Sequence, residues 1–562
     1  MPPRTNRPQT GDTRQVQFLD IDDFTPGLYS ASPIAASLPA NTQPGPFPAR
    51  VGAGDASQSW QCIALQQGGL GPLPGVIGTF KLSDLGITDP PFTGWIGGLL
   101  PTQTTIDDEF VVFLEWLHGG NNNVSIWSGV RGTGVGHSLY TNDSASDPSN
   151  GIGGSPFPFA TRVAATDPTT TIGELVIAIP YYNIGDILLY PDPSAPTVFG
   201  VYDFMSTTAN TIFGHQNRIV ALENVSLSWP APVSLNVNND AINYTDPPNS
   251  ETYPGASPAV IFAAEEPYGY GAWGSISAGE LFLVKCRGGG VVVQGDINNP
   301  TVTFLPGVRP TGAIAGHADS NESGLFYCAY NGGTIEPGGD GAHLWGGGNV
   351  SQKISTQLDD NFFVVTEQIP SRQMSYFCKR WNGYMMFSNN WLFDQLTNSW
   401  WRFLNPATAS CFWICEGFQA NQFYAAIAGL IASDATPFLY QFDKVKPASS
   451  WQWQSLPIRV SEDRWVDFRE AMVRYSNPYG GTGTFTITVS GVDAAGNVVA
   501  ADTLNYAAAV NRPQMQRFNI RVQSEDITVR VAVQANTAGQ PAPVVHSLSL
   551  GYRTRQHAGA TL

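Results

Sequence analysis

Charge is what this chain has least of. Only 13% of its 562 residues are charged, six of them are lysine, and the net charge is −17. Without clustered Lys and Arg there is no surface suited to displacing counterions from nucleic-acid phosphates, so a nucleic-acid reader is excluded. Runs of Ala, Glu, Lys and Leu at a 3.6-residue period are nearly missing, which predicts little helix. No window of about 18 apolar residues exists, so no membrane-spanning helix is expected. The opening MPPRTNRPQTGDTRQ has no apolar segment of the kind a secretory signal needs. If the protein ends up outside a cell, arrival as part of an assembled particle is one way to get there.

Catalytic signatures are missing too. There is no HExxH, G-x-S-x-G, Walker phosphate loop or G-x-G-x-x-G ahead of a helix. The six cysteines, Cys62, Cys286, Cys328, Cys378, Cys411 and Cys415, form no C-x-x-C pair. That spacing offers neither a zinc site nor a disulfide framework, and buried free thiols are expected. Cys411 and Cys415 lie too far apart along one strand to bridge.

What is present is turn and aromatic chemistry. The 59 Gly, 42 Pro and 15 Trp suit many short strands held by aromatic packing. The clearest stretch is Asn382 to Phe403, NGYMMFSNNWLFDQLTNSWWRF. Tyr384–Phe387 and Trp391–Asp394 have strand length and composition, Leu396 to Ser399 is a turn, and Trp400 opens another strand. Strand, Asp, polar turn, Trp is how a β-propeller blade ends.

Weaker units of the same kind recur. Strands are predicted at Phe110–Leu117, Val124–Trp127, Glu174–Ile179, Ile187–Tyr190, Arg218–Leu222, Glu280–Lys285, Val291–Gln294, Gly324–Tyr330, Phe362–Val365, Met374–Lys379, Phe423–Ala428 and Phe438–Phe442. Residues 51–446 are too many for one sandwich and fit a β-propeller of about six or seven blades. Residues 1–50 are Pro-rich and polar, an extended arm that wraps a surface rather than forming a core. After KVKPAS at 444–449, alternating runs such as Phe485–Val489 and Ile527–Val531 predict a β-sandwich over 447–562. The fold class expected is all-β.

Candidate chemistry is sparse. His118, His137, His215, His317 and His343 fall in or beside turns, with no second His at ligand spacing. Carboxylates cluster at Asp20, Asp22 and Asp23, at Asp107, Asp108 and Glu109, at Glu265 and Glu266, and at Asp359 and Asp360. A glycosidase needs two carboxylates about 5–10 Å apart across a sugar, and Glu265 or Asp359 would be its members on a propeller. Solvated turn acids are the plainer reading. Asn121–Asn123 and Asp359–Asn361 are the only loops suggestive of Ca²⁺, and no EF-hand loop is present. Gly288–Gly290 follows Lys285-Cys286-Arg287 and resembles a phosphate cradle, but it lies between strands, where a hairpin turn is expected. Six Asn-x-Ser/Thr sequons occur, Asn224 and Asn349 among them. Trp400, Trp401, Trp451 and Trp453 are candidates for stacking on sugars. Adjacent strand residues face opposite sides, so one of Trp400 and Trp401 is expected in the core and the other at an inter-blade or inter-subunit contact, and packing is the favoured role. No catalytic residue, metal ligand or cofactor is assigned.

Several phrases carry a resemblance. Gly214-His215-Gln216-Asn217-Arg218-Ile219-Val220-Ala221 and Ser277-Ala278-Gly279-Glu280-Leu281-Phe282, followed by Gln294 to Val302, look like blade openings of phage tail propeller proteins. Asp23-Phe24-Thr25-Pro26-Gly27-Leu28 resembles the start of those proteins. Gly324 to Tyr327, His546 to Leu548 and Gly551 to Arg553 are similar in character. Over about residues 20–555 the chain resembles bacteriophage minor tail or tail nozzle proteins. The resemblance implies a non-catalytic virion part in a ring or trimer of its own copies. It would touch other tail proteins and a host surface glycan, with DNA passing nearby. Two rivals are a tail-borne glycan depolymerase on the same scaffold and a non-catalytic carbohydrate-binding adhesin.

Overall fold

The computed structural model describes residues 16–25, 27 and 56–85, single strands between 94 and 277, and residues 280–554 with breaks. Between 94 and 277 only the backbone is described. Among the described residues every regular element is a β-strand, apart from the 3₁₀ turns Ser83–Leu85 and Thr356–Leu358. The all-β expectation holds. No helix among them is long and apolar enough to cross a membrane. Two compact units emerge. One gathers Met1–Gly75, Leu396–Phe403 and Lys446–Leu562, the other Val76–Gln395 and Leu404–Val445.

The larger unit is a succession of antiparallel sheets in chain order. Gly94–Thr102, Glu109–His118, Asn121–Val130 and Val135–Asn142 form the first, with Leu430–Ile431 at its edge. Four-stranded sheets follow over 159–204, 211–261, 270–305, 319–353 and 378–402. In the last of these, Tyr384–Phe387 and Trp391–Asp394 occupy the predicted spans. Asn390 and Asn398 take positive φ in its turns, at 65° and 52°, a conformation Asn tolerates better than most residues. The final sheet orders Cys411–Glu416, Gln422–Ile427 and Leu439–Pro447, and its fourth strand is Pro74–Phe80, from far back in the sequence. The predicted strand Phe362–Val365, and Met374–Lys379 before Cys378, lie outside the described residues.

Apolar side chains glue neighbouring sheets. Phe282, Val284 and Val292 pack with Leu325, Tyr327, Ala329 and Trp345 of the next sheet in one buried cluster. Trp381 meets Phe423 at 4.6 Å between ring centroids, and Phe423 stacks on Phe442 at 4.8 Å. Polar clips reinforce the contact. The Asp319 carboxylate accepts the Arg380 backbone N–H at 2.7 Å. The Gln395 amide accepts from Asn321 Nδ2 and donates to Ser323 Oγ.

The smaller unit has two sheets. The first orders Cys62–Ala64, Leu70–Pro72, Val544–Thr554, Val466–Ser476 and Gln514–Phe518, and Gln17–Ile21 also pairs with Val544–Thr554. The second orders Ala56–Trp60, Ser450–Ser455, Asp526–Ala535, Thr484–Val492 and Val498–Ala507. Phe485, Ile487 and Val489 point inward, as a half-buried strand requires. The sheets meet through Tyr475, whose ring lies 5.6 Å from Phe485 and 4.9 Å from Tyr506.

The expectation that the N-terminal arm forms no core is overturned where it is described. Ile21 and Phe24 are buried, and Gln17–Ile21 is a ladder strand. The physical reason is that two large apolar side chains sit beside a strand that finds an open stretch of Val544–Thr554. Burying a side chain of this size contributes roughly 1.5–3 kcal/mol.

Candidate functional site

The aromatic candidates are interior. Trp400, Trp401, Trp451 and Trp453 are all 0% exposed, so none stacks on a sugar in this structure. Trp400 and Trp401 do point to opposite sides of one strand, and both sides are covered. The favoured reading of packing rather than sugar stacking is in keeping with this burial. The Trp401 indole donates to Ser399 Oγ at 2.8 Å, and the Trp451 indole donates to the Pro543 carbonyl at 2.9 Å.

Trp453 instead receives the N-terminal phrase. The Phe24 ring stands edge-on to it at 5.1 Å. The Phe24 N–H donates to the Gly68 carbonyl, and Gly27 makes a single parallel bridge with Trp400. Gly27 has φ of +74°, and a Cβ there would stand 2.7 Å from the Trp400 carbonyl oxygen. Only glycine fits both demands. Asp23 is no ligand in this arrangement: its carboxylate accepts from the Thr25 N–H at 2.9 Å and the Thr25 hydroxyl at 2.6 Å, closing a turn. Asp23, Phe24, Thr25 and Gly27 thus form a clasp within the smaller unit.

The remaining candidates do not converge. His343 lies within the strand Gly339–Trp345 rather than in a turn; it is buried, with Nδ1 3.1 Å from Ser351 Oγ. His118 ends a strand opposite Asn121, His137 lies inside Val135–Asn142, and His215 pairs with Arg218. His317 lies outside the described residues, as do Asp107, Asp108, Glu265, Glu266, Asp359, Asp360 and Asn224. Glu109 begins a strand. Asn121–Asn123 are strand residues paired with 116–118, not a loop. Gly290 begins Gly290–Gln294, which pairs antiparallel with Glu280–Lys285, as a hairpin requires; residues 286–288 lie outside the described residues. Asn349 is exposed. Among the described residues no three His, Cys, Asp or Glu side chains group as metal ligands would. Cys62 and Cys328 are buried free thiols, and burial pushes the Cys328 thiol up to about 12, which leaves it unreactive.

One surface stands out that residue-by-residue inspection of the sequence missed. On the outer face of the second sheet of the smaller unit, the Thr486 hydroxyl lies 2.7 Å from Asn505 Oδ1 and 2.8 Å from Asn536 Oδ1 with one proton to share between them, Thr488 pairs with Thr503 at 2.9 Å, and Asn536 donates to Thr484. The polar positions of Thr484-Phe-Thr-Ile-Thr hold the signal, since every second residue must share a face. The ladder runs up to the edge strand Val498–Ala507.

No family model matches the chain, and no curated protein matches it. Solved structures do resemble it at low levels. The WD40 β-propeller domain of Doa1 aligns with 66% of this chain and 97% of its own, at 9% identity and a TM-score of 0.33. An exo-β-1,3-galactanase from Phanerochaete chrysosporium covers 81% of this chain and 95% of its own, at 10% and 0.26. A fructofuranosidase from Schwanniomyces occidentalis covers 86% and 98%, at 8% and 0.27. The expectation of a chain that is no enzyme is corrected by this set, because glycoside hydrolases stand in it. At these identities the likeness brings no active site and no substrate to this chain.

Proposed function

We propose that this chain is a structural component of a bacteriophage tail, a nozzle or distal ring part that supports host attachment and genome passage. The observation that carries the proposal is the clasp. The phrase Asp23–Gly27, part of the resemblance to tail proteins, is built into the fold through Phe24 on Trp453 and Gly27 on Trp400. Its residues therefore serve architecture.

The scaffold in this reading is a β-propeller joined to a β-sandwich. Among the described residues, six four-stranded sheets and one of five strands follow one another in the chain, with a two-stranded pair, Leu235–Asn236 and Ala241–Ile242, between two strands of the third. Completion of the last by Pro74–Phe80 is how a ring of blades is locked, since it ties the end of the succession to its beginning. The two facing sheets of the smaller unit form the sandwich. Partners are further copies of the chain, other tail proteins and a host surface glycan. Electron cryomicroscopy of the source particle tests this. Density for the chain in the tail is the expected result, and purified infectious particles lacking the chain would overturn it.

A second reading is a tail-borne glycan depolymerase on the same scaffold. The glycoside hydrolases among the similar structures point toward it only at the level of fold. Release of sugar from host polysaccharide by purified particles, lost on one acid-to-amide substitution, separates it from the first.

A further inference from the structure

We infer that the edge strand Val498–Ala507 is a self-pairing seam, and that it docks antiparallel against the same strand of a second copy. It closes the second sheet of the smaller unit and, among the described residues, pairs on one side with Thr484–Val492 alone. Exposure alternates along it between exposed and half-buried, so even Leu504 and Tyr506, which face inward, keep an open flank. Val498 and Val499 are 49% and 51% exposed. An edge strand presents a row of backbone donors and acceptors to any strand that can reach it.

Natural proteins blunt such edges with Lys, Pro, bulges or short strands. This one, ten residues long, has no Lys or Pro; it carries a bulge at its start, where the register shifts between Gly491 opposite Ala500 and Val492 opposite Val498, and one charge, Asp502. From Ala500 to Ala507 the ladder is regular. Its single charge, Asp502, is turned aside to accept the Asn519 backbone N–H at 2.7 Å. The strand is also stiffened from behind, because Thr488 and Thr486 bond Thr503 and Asn505 across the ladder. Less ordering is then needed on docking.

The sequence VVAADTLNYA selects the occupant. Directly opposed residues of an antiparallel pair share a face, so a two-fold axis must pass through one residue. Two centres give nearly full overlap. Centring on Asp502 sets two carboxylates opposite each other, which is destabilising. Centring on Thr503 opposes Thr503 to itself, Ala501 to Asn505 and Val499 to Ala507 on the outer face. On the inner face it opposes Asp502 to Leu504 and Ala500 to Tyr506. No like charges meet, and the threonine ladder continues from Thr488 through Thr503 into the second copy. The strand is complementary to itself.

The inference does not rest on the tail reading, and either can fail while the other stands. Light scattering on the full chain in solution tests it. The wild type is expected at twice the mass of one chain, with Thr503→Lys and Thr503→Glu each reverting to the single mass while still unfolding cooperatively. An equimolar mixture of the two variants is expected to recover the doubled mass, because the register sets Lys against Glu. Thr486→Lys, on the same face one strand inward, is expected to leave the doubled mass intact. A wild type of single mass, variants that associate as the wild type does, or a mixture that fails to recover would each overturn the inference.

Discussion

The Trp345 indole occupies the space that a side chain on Gly290 would need. A Cβ there would stand 2.3 Å from Cη2 and 2.6 Å from Cζ2. The ring cannot easily give way, because its N–H donates to the Gly348 carbonyl at 2.8 Å and its body lies in the cluster with Phe282 and Leu325. Gly290→Ala is therefore expected to lower the denaturant midpoint by an amount worth about 1–3 kcal/mol, the usual cost of overpacking. Trp345→Phe makes room, so the double variant should be less destabilised than the sum of the singles. Strict additivity would show that the two do not touch.

That glycine illustrates what was legible in the sequence. Gly288–Gly290 announced a turn between strands, and the strands on either side, Glu280–Lys285 and Gly290–Gln294, pair antiparallel. Nothing local announced that the third glycine is kept bare by a tryptophan 55 positions along. Strand runs were legible for the same local reason. Glu174–Ile179, Arg218–Leu222, Glu280–Lys285 and Gly324–Tyr330 occupy their predicted spans, since β-branched and aromatic runs bounded by turn residues leave little choice. Long-range pairing was not legible. The addition of Pro74–Phe80 to Leu439–Pro447, and of Gln17–Ile21 to Val544–Thr554, depends on edges that only the folded chain creates. The tryptophans failed as site candidates for a related reason. Alternation tells which residues share a face, but not whether both faces are covered.

The N-terminal clasp should bear measurably on stability. Phe24 is fully buried against Trp453, and truncating such a side chain costs about 3–5 kcal/mol. Phe24→Ala is expected to lower the urea midpoint of the smaller unit accordingly. Cleavage by added protease near Thr25 should also become faster, as the phrase loses its anchor. A midpoint within error of the wild type would show that the clasp is ornamental.

Trp451 and Trp453 lie two residues apart on one strand, equally buried, yet their indoles differ. Trp451 donates to the Pro543 carbonyl, whereas the Trp453 N–H has no hydrogen-bond partner among the described residues. Trp451→Phe removes a bond and leaves a buried acceptor unmet, at about 1–3 kcal/mol, in addition to the volume lost. Trp453→Phe loses volume but also removes an unsatisfied donor. The first variant should therefore melt at the lower temperature. The reverse order in calorimetry would refute the assignment of the two indoles.

His546 gives the smaller unit a pH dependence whose sign can be worked out. Burial, and then the nearby Arg474, lower its pKa from the ordinary 6.5. Its Nε2 lies 2.7 Å from Ser476 Oγ. With the folded pKa below the unfolded one, the folded chain binds fewer protons than the unfolded chain as pH falls past 6.5. The contribution to stability is thus fully present above pH 6.5 and lost as pH drops through the folded value. His546 is partly solvated, so the effect should be modest. Melting temperatures measured from pH 7.5 to 5 should fall further for the wild type than for His546→Gln, which has no proton to gain. Parallel curves for the two proteins would place the acid sensitivity elsewhere, and a wild type that gains stability on acidification would reverse the sign derived from the burial of His546.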